Sequence, residues 1–252
     1  MNDSPLAALL ALAAALLEAG AEPYRVEEAV ERAGRGFNCG DIQVFVTPPG
    51  LFVSIEGPAG HETGVRRVRN RATDLGRLSS LNSVARAAER GDLSPRECLQ
   101  AVTGMRELKP PYGLGTDLLA GAVASSAYAW FIGASHLEAG LAALGGAFTV
   151  VMRRRPSGQF AGRFFMLAVS GFVVGLIGVA GSVLWRQSAA DIIAGGVVVL
   201  VPGLALTGVL RDLLAGDFLS AAAGGLEVLT VAGALAAGAA LAVATGIALG
   251  WT

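Results

Sequence analysis

The charged residues of this chain are divided so unevenly that its two parts cannot share one kind of environment. Residues 1–112 contain 13 basic and 14 acidic side chains, whereas the longer stretch 113–252 contains only 6 of each. Apolar residues make up 53% of the sequence, and those of the second part form runs as long as a bilayer is thick. We therefore predict an α-helical membrane protein with an N-terminal cytoplasmic α+β domain at 1–112 and a membrane domain at 113–252.

The membrane domain contains five apolar segments, which we interpret as transmembrane helices. They cover residues 118–133, 137–152, 164–185, 189–210 and 219–249. The second is short, and the last is long enough to project beyond the bilayer. Basic residues cluster at one end of these segments, at Arg153, Arg154, Arg155, Arg163 and Arg211, with Arg186 as the exception. The positive-inside rule then places residues 1–112 in the cytoplasm and the C-terminus outside the bacterial inner membrane.

The first 112 residues are predicted to fold as two helices, a small sheet and two further helices. The apolar run after Ser4-Pro5 lacks a basic region before it and begins with a helix-capping pair, so we expect a core helix rather than a signal peptide. Short β-branched or aromatic runs at 41–47 and 51–56 flank a Pro-Pro-Gly turn and indicate a hairpin, and a third strand is predicted at 65–71.

Several classes of function are disfavoured by what the sequence lacks. A formal net charge of -1 argues against a nucleic-acid partner, which requires a basic surface. There is no phosphate-binding glycine loop, no HExxH and no GxSxG pattern, and the two histidines, His61 and His136, are far apart. We therefore predict no catalytic residues, no metal site and no cofactor.

The most informative local feature is Pro202-Gly203, in the middle of the fourth apolar segment. Proline lacks a backbone donor and interrupts a helix, so a half-helix that begins here directs free N–H groups and a positive dipole end at the membrane centre. A carboxylate-bearing substrate suits that geometry, and Thr207 can add a hydroxyl. The alternative is a proline kink that only shapes the packing of the helices.

Acidic residues in apolar segments are the other candidates for function, because charge is unfavourable at membrane depth. Glu227 lies more than two turns into the fifth segment, where it requires a partner, a proton or a water-filled cavity, unless those first turns stand in the cytoplasm. Asp212 and Asp217 follow the fourth segment and are candidate gate or coupling residues, although Arg211-Asp212 can equally be an interfacial anchor. Asp191, near the outer end of the same segment, is a third coupling candidate.

Four stretches together resemble the bacterial threonine/serine exporter family. They are GAEPYRVEEAVERAG from Gly20, VFVTPPGLFVSIEG from Val44, RVRNRATDLGRLSSLNSVAR from Arg67 and VPGLALTGVLRDLLAGD from Val201. In the cytoplasmic domain the resemblance implies motif residues at Glu22, Tyr24, Arg25, Val26, Glu27, Thr47, Gly50, Asp74 and Asn82. In the membrane domain it implies Pro202, Gly203, Asp212, Gly216 and Asp217.

The resemblance also implies a function and a partner. It implies an exporter of threonine and serine or of a dicarboxylate such as succinate. The broken apolar helix, its nearby acidic residues and the lack of a nucleotide-binding motif add the hypothesis of a secondary transporter driven by the proton gradient. A chain with five spans resembles the larger component of two-component members, so the expected partner is a small four-span subunit, or otherwise a second copy of this chain. The alternative is a membrane-anchored sensor whose cytoplasmic domain binds a metabolite. For Arg25 with Glu22 or Glu27, an ion pair between two helices is the simpler expectation.

Overall fold

The computed structural model describes residues 4–47, 49–57, 60–68, 73–106, 112–154 and 160–251. The fold is mostly helical, with one small antiparallel sheet. The chain divides into two compact units. The first consists of Met1–Lys109 together with Arg211–Ala223, and the second of Pro110–Leu210 together with Gly224–Thr252.

The first unit is built around one apolar helix. Its elements are α1 (Pro5–Glu18), α2 (Pro23–Gly36), β1 (Asp41–Thr47), β2 (Gly50–Gly57), β3 (Gly60–Arg67), α3 (Leu75–Glu89) and α4 (Pro95–Arg106). The Ser4 hydroxyl accepts from the Ala7 N–H at 3.2 Å and caps α1, and Pro5 occupies the first turn. Leu9, Leu12 and Leu17 of α1 are fully buried, and the helix contacts α2, α3, α4 and two strands. The predicted core helix is confirmed.

The sheet is a three-stranded meander in the order β1-β2-β3. The predicted hairpin is confirmed, with Thr47 opposite Gly50 and Val44 opposite Val53. The third strand begins five residues earlier than the sequence predicts, at Gly60, and its last described residue is Arg67. Residues 60–64 contain no apolar side chain, so pairing with β2 outweighs their weak strand propensity. The end of the predicted strand, at 69–71, lies outside the described residues.

The second unit contains the apolar helices. They are α5 (Leu114–Phe131), α6 (His136–Arg154), α7 (Phe160–Trp185), α8 (Ala189–Val197), α9 (Gly203–Ala215, whose end belongs to the first unit) and α10 (Phe218–Ala248, whose start belongs to the first unit). Within the described residues, α7 from Gly162 onward and α10 are long and apolar enough to cross a membrane, and α8 with α9 would form one broken span. The protein is therefore a membrane protein with two or three candidate spans.

The five spans that the sequence predicts are not confirmed. The two remaining helices have lengths of 18 and 19 residues, but each carries charge: Asp117 in α5, and Glu138, Arg153 and Arg154 in α6. The Arg154 guanidinium donates to the Asp117 carboxylate at 2.6 Å, and Glu138 accepts from the Ser135 and Ser188 N–H groups at 2.6 Å each. These partners neutralise or satisfy the charges of Asp117, Arg154 and Glu138 at the helix ends. Whether α5 and α6 span the bilayer stays a prediction.

Glycines of α7 allow close backbone packing, as their helical spacing predicts. Gly171 and Gly175 face α10 at Leu235 and Ala239, whereas Gly178 faces α8 at Ala189. A methyl group added at Gly171 would overlap the Leu235 carbonyl oxygen, which is backbone and cannot rotate away. The small residues therefore set the distance between neighbouring helices.

Gly171→Ala is expected to lower the apparent melting temperature of the purified protein, because α7 and α10 must separate to admit the methyl group. Gly233→Ala is the matched control on α10, since a Cβ there would meet no heavy atom within 4 Å. In a helix interior, alanine is favoured over glycine by about 1 kcal/mol. The control should therefore melt at or above the wild-type temperature. Equal melting temperatures for the two variants would contradict the packing.

Candidate functional site

The predicted helix break at Pro202 is confirmed. After α8 the chain forms one 3₁₀ turn at Val198–Leu200, becomes extended at Val201 and restarts as α9 at Gly203. The two helices are bent by 69°. The Gly203 N–H bonds to the Val201 carbonyl at 2.9 Å, and the regular helical pattern begins only at Leu206, whose N–H bonds to the Pro202 carbonyl at 3.0 Å. The start of α9 therefore presents the positive end of a helix dipole at the break.

Gly203 and Thr207, two of the predicted substrate residues, provide different groups for a ligand at the break. Gly203 is exposed, and a Cβ there would meet no heavy atom within 4 Å, so a ligand can approach the backbone closely. The Thr207 hydroxyl donates to the Leu204 carbonyl of its own helix at 2.8 Å. It must rotate away from that carbonyl before it can donate to a ligand, although its oxygen lone pairs are available to accept.

Glu227 lies on α10, and its partner is Arg163 of α7. The Arg163 Nη1 atom donates to the Glu227 Oε1 atom at 3.1 Å, and the two side chains are 51% and 38% exposed. A small groove beside the pair is lined by these residues and by Phe164, Leu167, Thr230 and Val231. All six residues belong to α7 and α10, so this groove does not include Pro202, Gly203 or Thr207.

The end of α9 meets the start of α2 within the first unit. The Arg211 guanidinium donates to the Glu22 carboxylate and to the Tyr24 hydroxyl, the latter at 2.9 Å, and lies 5.8 Å from the centre of the Tyr24 ring. Arg25 makes the same kinds of contact, at 3.0 Å to Glu22 and 2.9 Å to Tyr24. We call these four residues the α2–α9 cluster. Its two guanidinium groups share one carboxylate and one ring.

The expected ion pair of Arg25 with Glu22 is present, but it does not join two helices. Glu22 is the N-cap residue of α2 and Arg25 follows three residues later, so their pair is local to one helix start. The link to another helix comes from Arg211, which is 189 residues from Glu22 in the sequence.

The acidic residues after Arg211 flank the turn between α9 and α10, with Asp212 in the last turn of α9 and Asp217 directly before α10. Gly216 has a φ of +83°, the Asp217 N–H bonds to the Asp212 carbonyl at 2.9 Å, and the Gly216 N–H bonds to Leu213. This pattern is a Schellman motif that ends α9. The Asp217 carboxylate then accepts from the Ser220 N–H at 3.2 Å and caps α10. Asp212 is buried, with 8% of its surface exposed, and interacts within the protein.

Glu27 connects the α2 helix to the sheet and faces the same turn. Its carboxylate accepts from the Val46 N–H at 2.8 Å. Burial raises the pKa of the Glu27 carboxyl group; the Val46 hydrogen bond opposes the rise, and the carboxylates of Asp217 and Glu31 add to it. Ionised Glu27 therefore lowers the free energy of unfolding at neutral pH, and this penalty disappears as the pH falls below the unfolded pKa of about 4.3.

Glu27→Gln is expected to leave the melting temperature at pH 7 unchanged or to raise it. The glutamine carbonyl can still accept from Val46, while the buried charge and its repulsion from Asp217 are removed. The difference from wild type should shrink at pH 4, where the native carboxyl group is largely protonated. Glu28→Gln, which removes an exposed carboxylate paired with Arg32, is the control and should change little at either pH. A lower melting temperature for Glu27→Gln at pH 7 would contradict this account.

Comparison with known proteins identifies the family. The model of ThrE, described as "Putative threonine/serine exporter", matches residues 7–246. The chain belongs to the threonine/serine exporter family. It is also 24% identical, over 214 residues, to a Mycobacterium tuberculosis protein named "Probable threonine/serine exporter". That match covers 84% of this chain but 40% of the relative, so the chain spans less than half of that relative's length. No solved structure matches the chain.

The other residues implied by the resemblance to threonine/serine exporters lie at structural positions in the first unit. The Thr47 hydroxyl donates to the Gly50 carbonyl at 3.1 Å and closes the hairpin. The Asp74 carboxylate accepts from the Arg77 N–H at 2.9 Å and caps α3. Asn82, on α3, lines a groove against α2. Outside that unit, the coupling candidate Asp191 is in the first turn of α8, where its N–H bonds to the Ser188 hydroxyl at 3.3 Å.

Sequence reasoning missed two arginines of this member of the threonine/serine exporter family. Arg163 and Arg211 serve in the sequence analysis only to orient the membrane domain, yet both pair with acidic residues that it names as candidates. The one available signal was the requirement that a carboxylate in an apolar segment has a counter-charge. That requirement does not say which arginine provides it.

Proposed function

We propose that this chain is part of a secondary transporter that exports a small carboxylate-bearing metabolite, either threonine and serine or a dicarboxylate such as succinate. The observation that carries the proposal is the apolar helix pair α8–α9, broken and bent by 69° at Pro202, in a member of the threonine/serine exporter family. Broken helices are a common device for binding substrates in transporters, because the free backbone groups at the break replace hydration.

The substrate carboxylate is proposed to bind at the start of α9. Pro202 creates the break, Gly203 permits close approach, and the oxygen of Thr207 lies one turn further along the helix. Helix N-termini attract anions through their free N–H groups and dipole. Glu227 and its partner Arg163 provide a second polar position on α7 and α10. A zwitterionic amino acid would pair with both charges, whereas a dicarboxylate would pair with Arg163 only.

Proton coupling is proposed to act through Glu227. When its carboxylate is ionised, it pairs with Arg163; when it is protonated, that charge pairing is lost and the arginine is free to bind an anion. Proton and substrate would then control the same guanidinium group. The motivation is that a charged pair on two candidate membrane spans requires a functional explanation.

The α2–α9 cluster is proposed to form a cytoplasmic gate together with Asp212 and Asp217, while Asp191 lies at the opposite end of the broken pair, on α8. The same α9 helix that starts at the substrate position carries Arg211 near its other end, where Glu22 of the α2 start accepts from it. In this proposal residues 1–112 are cytoplasmic and the C-terminus is outside, because the arginines of α6 and α7 follow the positive-inside rule.

A second component of the transporter is also a proposal: a small four-span subunit of the same family, or a second copy of this chain. Several large apolar side chains of α9 are exposed, including Leu204, Leu206 and Leu214. Lipid or a partner helix would cover them. Chemical crosslinking of membranes at Leu206→Cys, followed by identification of the linked protein, distinguishes the two partners.

The function is tested with protein reconstituted into liposomes, with and without the co-expressed partner. Liposomes are loaded with labelled L-threonine, L-serine or succinate, and efflux is followed after a pH gradient is imposed. The proposal predicts gradient-dependent efflux of at least one of these compounds. Saturable binding without efflux would contradict it and favour a sensor.

A further inference from the structure

A groove between α2 and α3 in the first unit is a second candidate binding site. It has a volume of about 260 Å³ and begins on α2 at Ala29, about one turn after Arg25 of the α2–α9 cluster. Six residues line it: Ala29 and Arg32 of α2, and Asn82, Ala85, Arg86 and Glu89 of α3. The volume is below the range of drug-sized pockets and fits a metabolite of amino-acid size.

The groove lies beside a point where the backbones of α2 and α3 are in contact, and small side chains keep it open. A methyl group at Gly36, the last residue of α2, would overlap the Ala88 carbonyl oxygen of α3, so the backbones are in contact there. In the groove itself the residues between the polar side chains are alanines, and Ala29 and Ala85 are both buried. Small side chains leave space between helices that larger ones would fill.

The polar side chains that line the groove do not use all their hydrogen-bonding groups on one another. Arg32 pairs with Glu28 at 3.1 Å and, more distantly, with Glu89 at 3.7 Å. Arg86 donates to the Ser83 hydroxyl at 3.2 Å, and within the described parts of the chain it has no carboxylate partner. Among those same residues, the half-buried Asn82 amide has no hydrogen bond. One guanidinium, one amide and a loosely held carboxylate therefore face the same space.

We propose that this groove binds a small zwitterionic amino acid. The ligand carboxylate would accept from the guanidinium of Arg86 and the amide of Asn82, and its ammonium group would donate to Glu89. Arginine binds carboxylates through paired N–H groups, and charge-assisted hydrogen bonds are the strong ones. A dicarboxylate lacks the ammonium group and would meet repulsion from Glu89.

Ligand binding in the groove would also regulate export. This part of the inference rests on the proposed export function. Helix α2 carries both the groove and, at its start, Glu22 and Tyr24, which hold Arg211 of α9. A ligand that binds α2 to α3 more firmly would also fix the position of α2 relative to the end of α9. Cytoplasmic amino acid would in this way set the export rate.

Binding is measured on the full-length protein in detergent by calorimetric titration with L-threonine, L-serine and succinate. Amino-acid binding is expected to weaken about tenfold or more in Arg86→Gln and to weaken also in Asn82→Ala. The matched control is Arg90→Gln at the C-cap of α3, four residues after Arg86, whose guanidinium pairs with Asp92 outside the groove; its binding should equal that of wild type.

The double variant Pro202→Ala/Gly203→Ala separates this site from the proposed membrane site. It should keep groove binding even if it loses efflux, so failure of the export proposal leaves the binding result intact. Unchanged amino-acid affinity in both Arg86→Gln and Asn82→Ala, each with a wild-type melting temperature, would overturn the groove. Equal loss in the Arg90→Gln control, or tighter binding of succinate than of either amino acid by Pro202→Ala/Gly203→Ala, would overturn it as well.

Discussion

Arg211→Gln is expected to reduce the maximal rate of substrate efflux about tenfold, without raising the KM for substrate. The guanidinium group joins the end of α9 to Glu22 and Tyr24 at the start of α2, and glutamine cannot make both contacts. The substrate is proposed to bind at the other end of α9, so its affinity should be preserved. Initial rates across a range of substrate concentrations in liposomes separate the two quantities.

The lower efflux rate of Arg211→Gln is not expected to come from a loss of folding stability. The side chains of Arg211 and Glu22 are 48% and 27% exposed, and solvent-exposed ion pairs contribute roughly 0 to 1 kcal/mol. The matched control is Arg90→Gln, whose partner Asp92 is two residues away on the same surface; it should keep wild-type efflux.

A double-mutant cycle identifies the interaction itself. Glu22→Gln should slow efflux as Arg211→Gln does, and the two changes together should be no worse than either alone, because each removes the same link. Additive losses would show that the two residues act independently and would contradict the gate.

Glu227→Gln is expected to abolish efflux driven by a pH gradient while leaving exchange of substrate across the membrane measurable. The variant mimics the protonated carboxyl group, so Arg163 loses its charged partner in every state and the proton no longer controls it. Exchange requires only that the loaded transporter change conformation, whereas net export requires return of the carrier with its proton. Both activities are measured with labelled substrate in the same liposomes.

The companion variant Arg163→Gln tests the pair rather than the carboxylate alone. It leaves Glu227 without its counter-charge, and loss of one partner of a pair in an apolar environment is more harmful than loss of both. Arg163→Gln/Glu227→Gln should therefore accumulate in membranes at least as well as Arg163→Gln.

Thr230→Val is the matched control for this groove, since the Thr230 hydroxyl bonds to the Leu226 carbonyl of its own helix. It should keep gradient-driven efflux. Gradient-driven efflux at the wild-type rate in Glu227→Gln would remove that residue from proton coupling.

Local signals in the sequence were enough to predict the secondary structure of the first unit and the break in α8–α9. Ser4-Pro5 starts α1, and a proline in the middle of a helix, such as Pro202, interrupts it. Both effects depend on the backbone of a few neighbouring residues. The third strand was misplaced at its start, since the residues 60–64 have little intrinsic preference for a strand and depend on pairing with β2.

The candidate site could be predicted only in part. Glu227 was found because carboxylates are unusual in apolar segments and Glu22 through the resemblance to the family, but their partners Arg163 and Arg211 were not. Arg211 is 187 residues from Tyr24, and Arg163 is 64 residues from Glu227, so only the packing of helices brings them together. The roles of Gly216 and Asp217 in ending α9 and capping α10 were likewise hidden, because they depend on the direction of the turn.

The central claim is that the break at Pro202 binds the substrate that is exported. The most direct measurement is the initial rate of gradient-driven efflux by the variant Pro202→Ala/Gly203→Ala in liposomes. Alanine at both positions favours a continuous helix, which would satisfy the N–H groups at the start of α9 and remove its dipole end from the substrate. The expected result is a loss of about tenfold or more in the initial rate. A rate equal to wild type would contradict it.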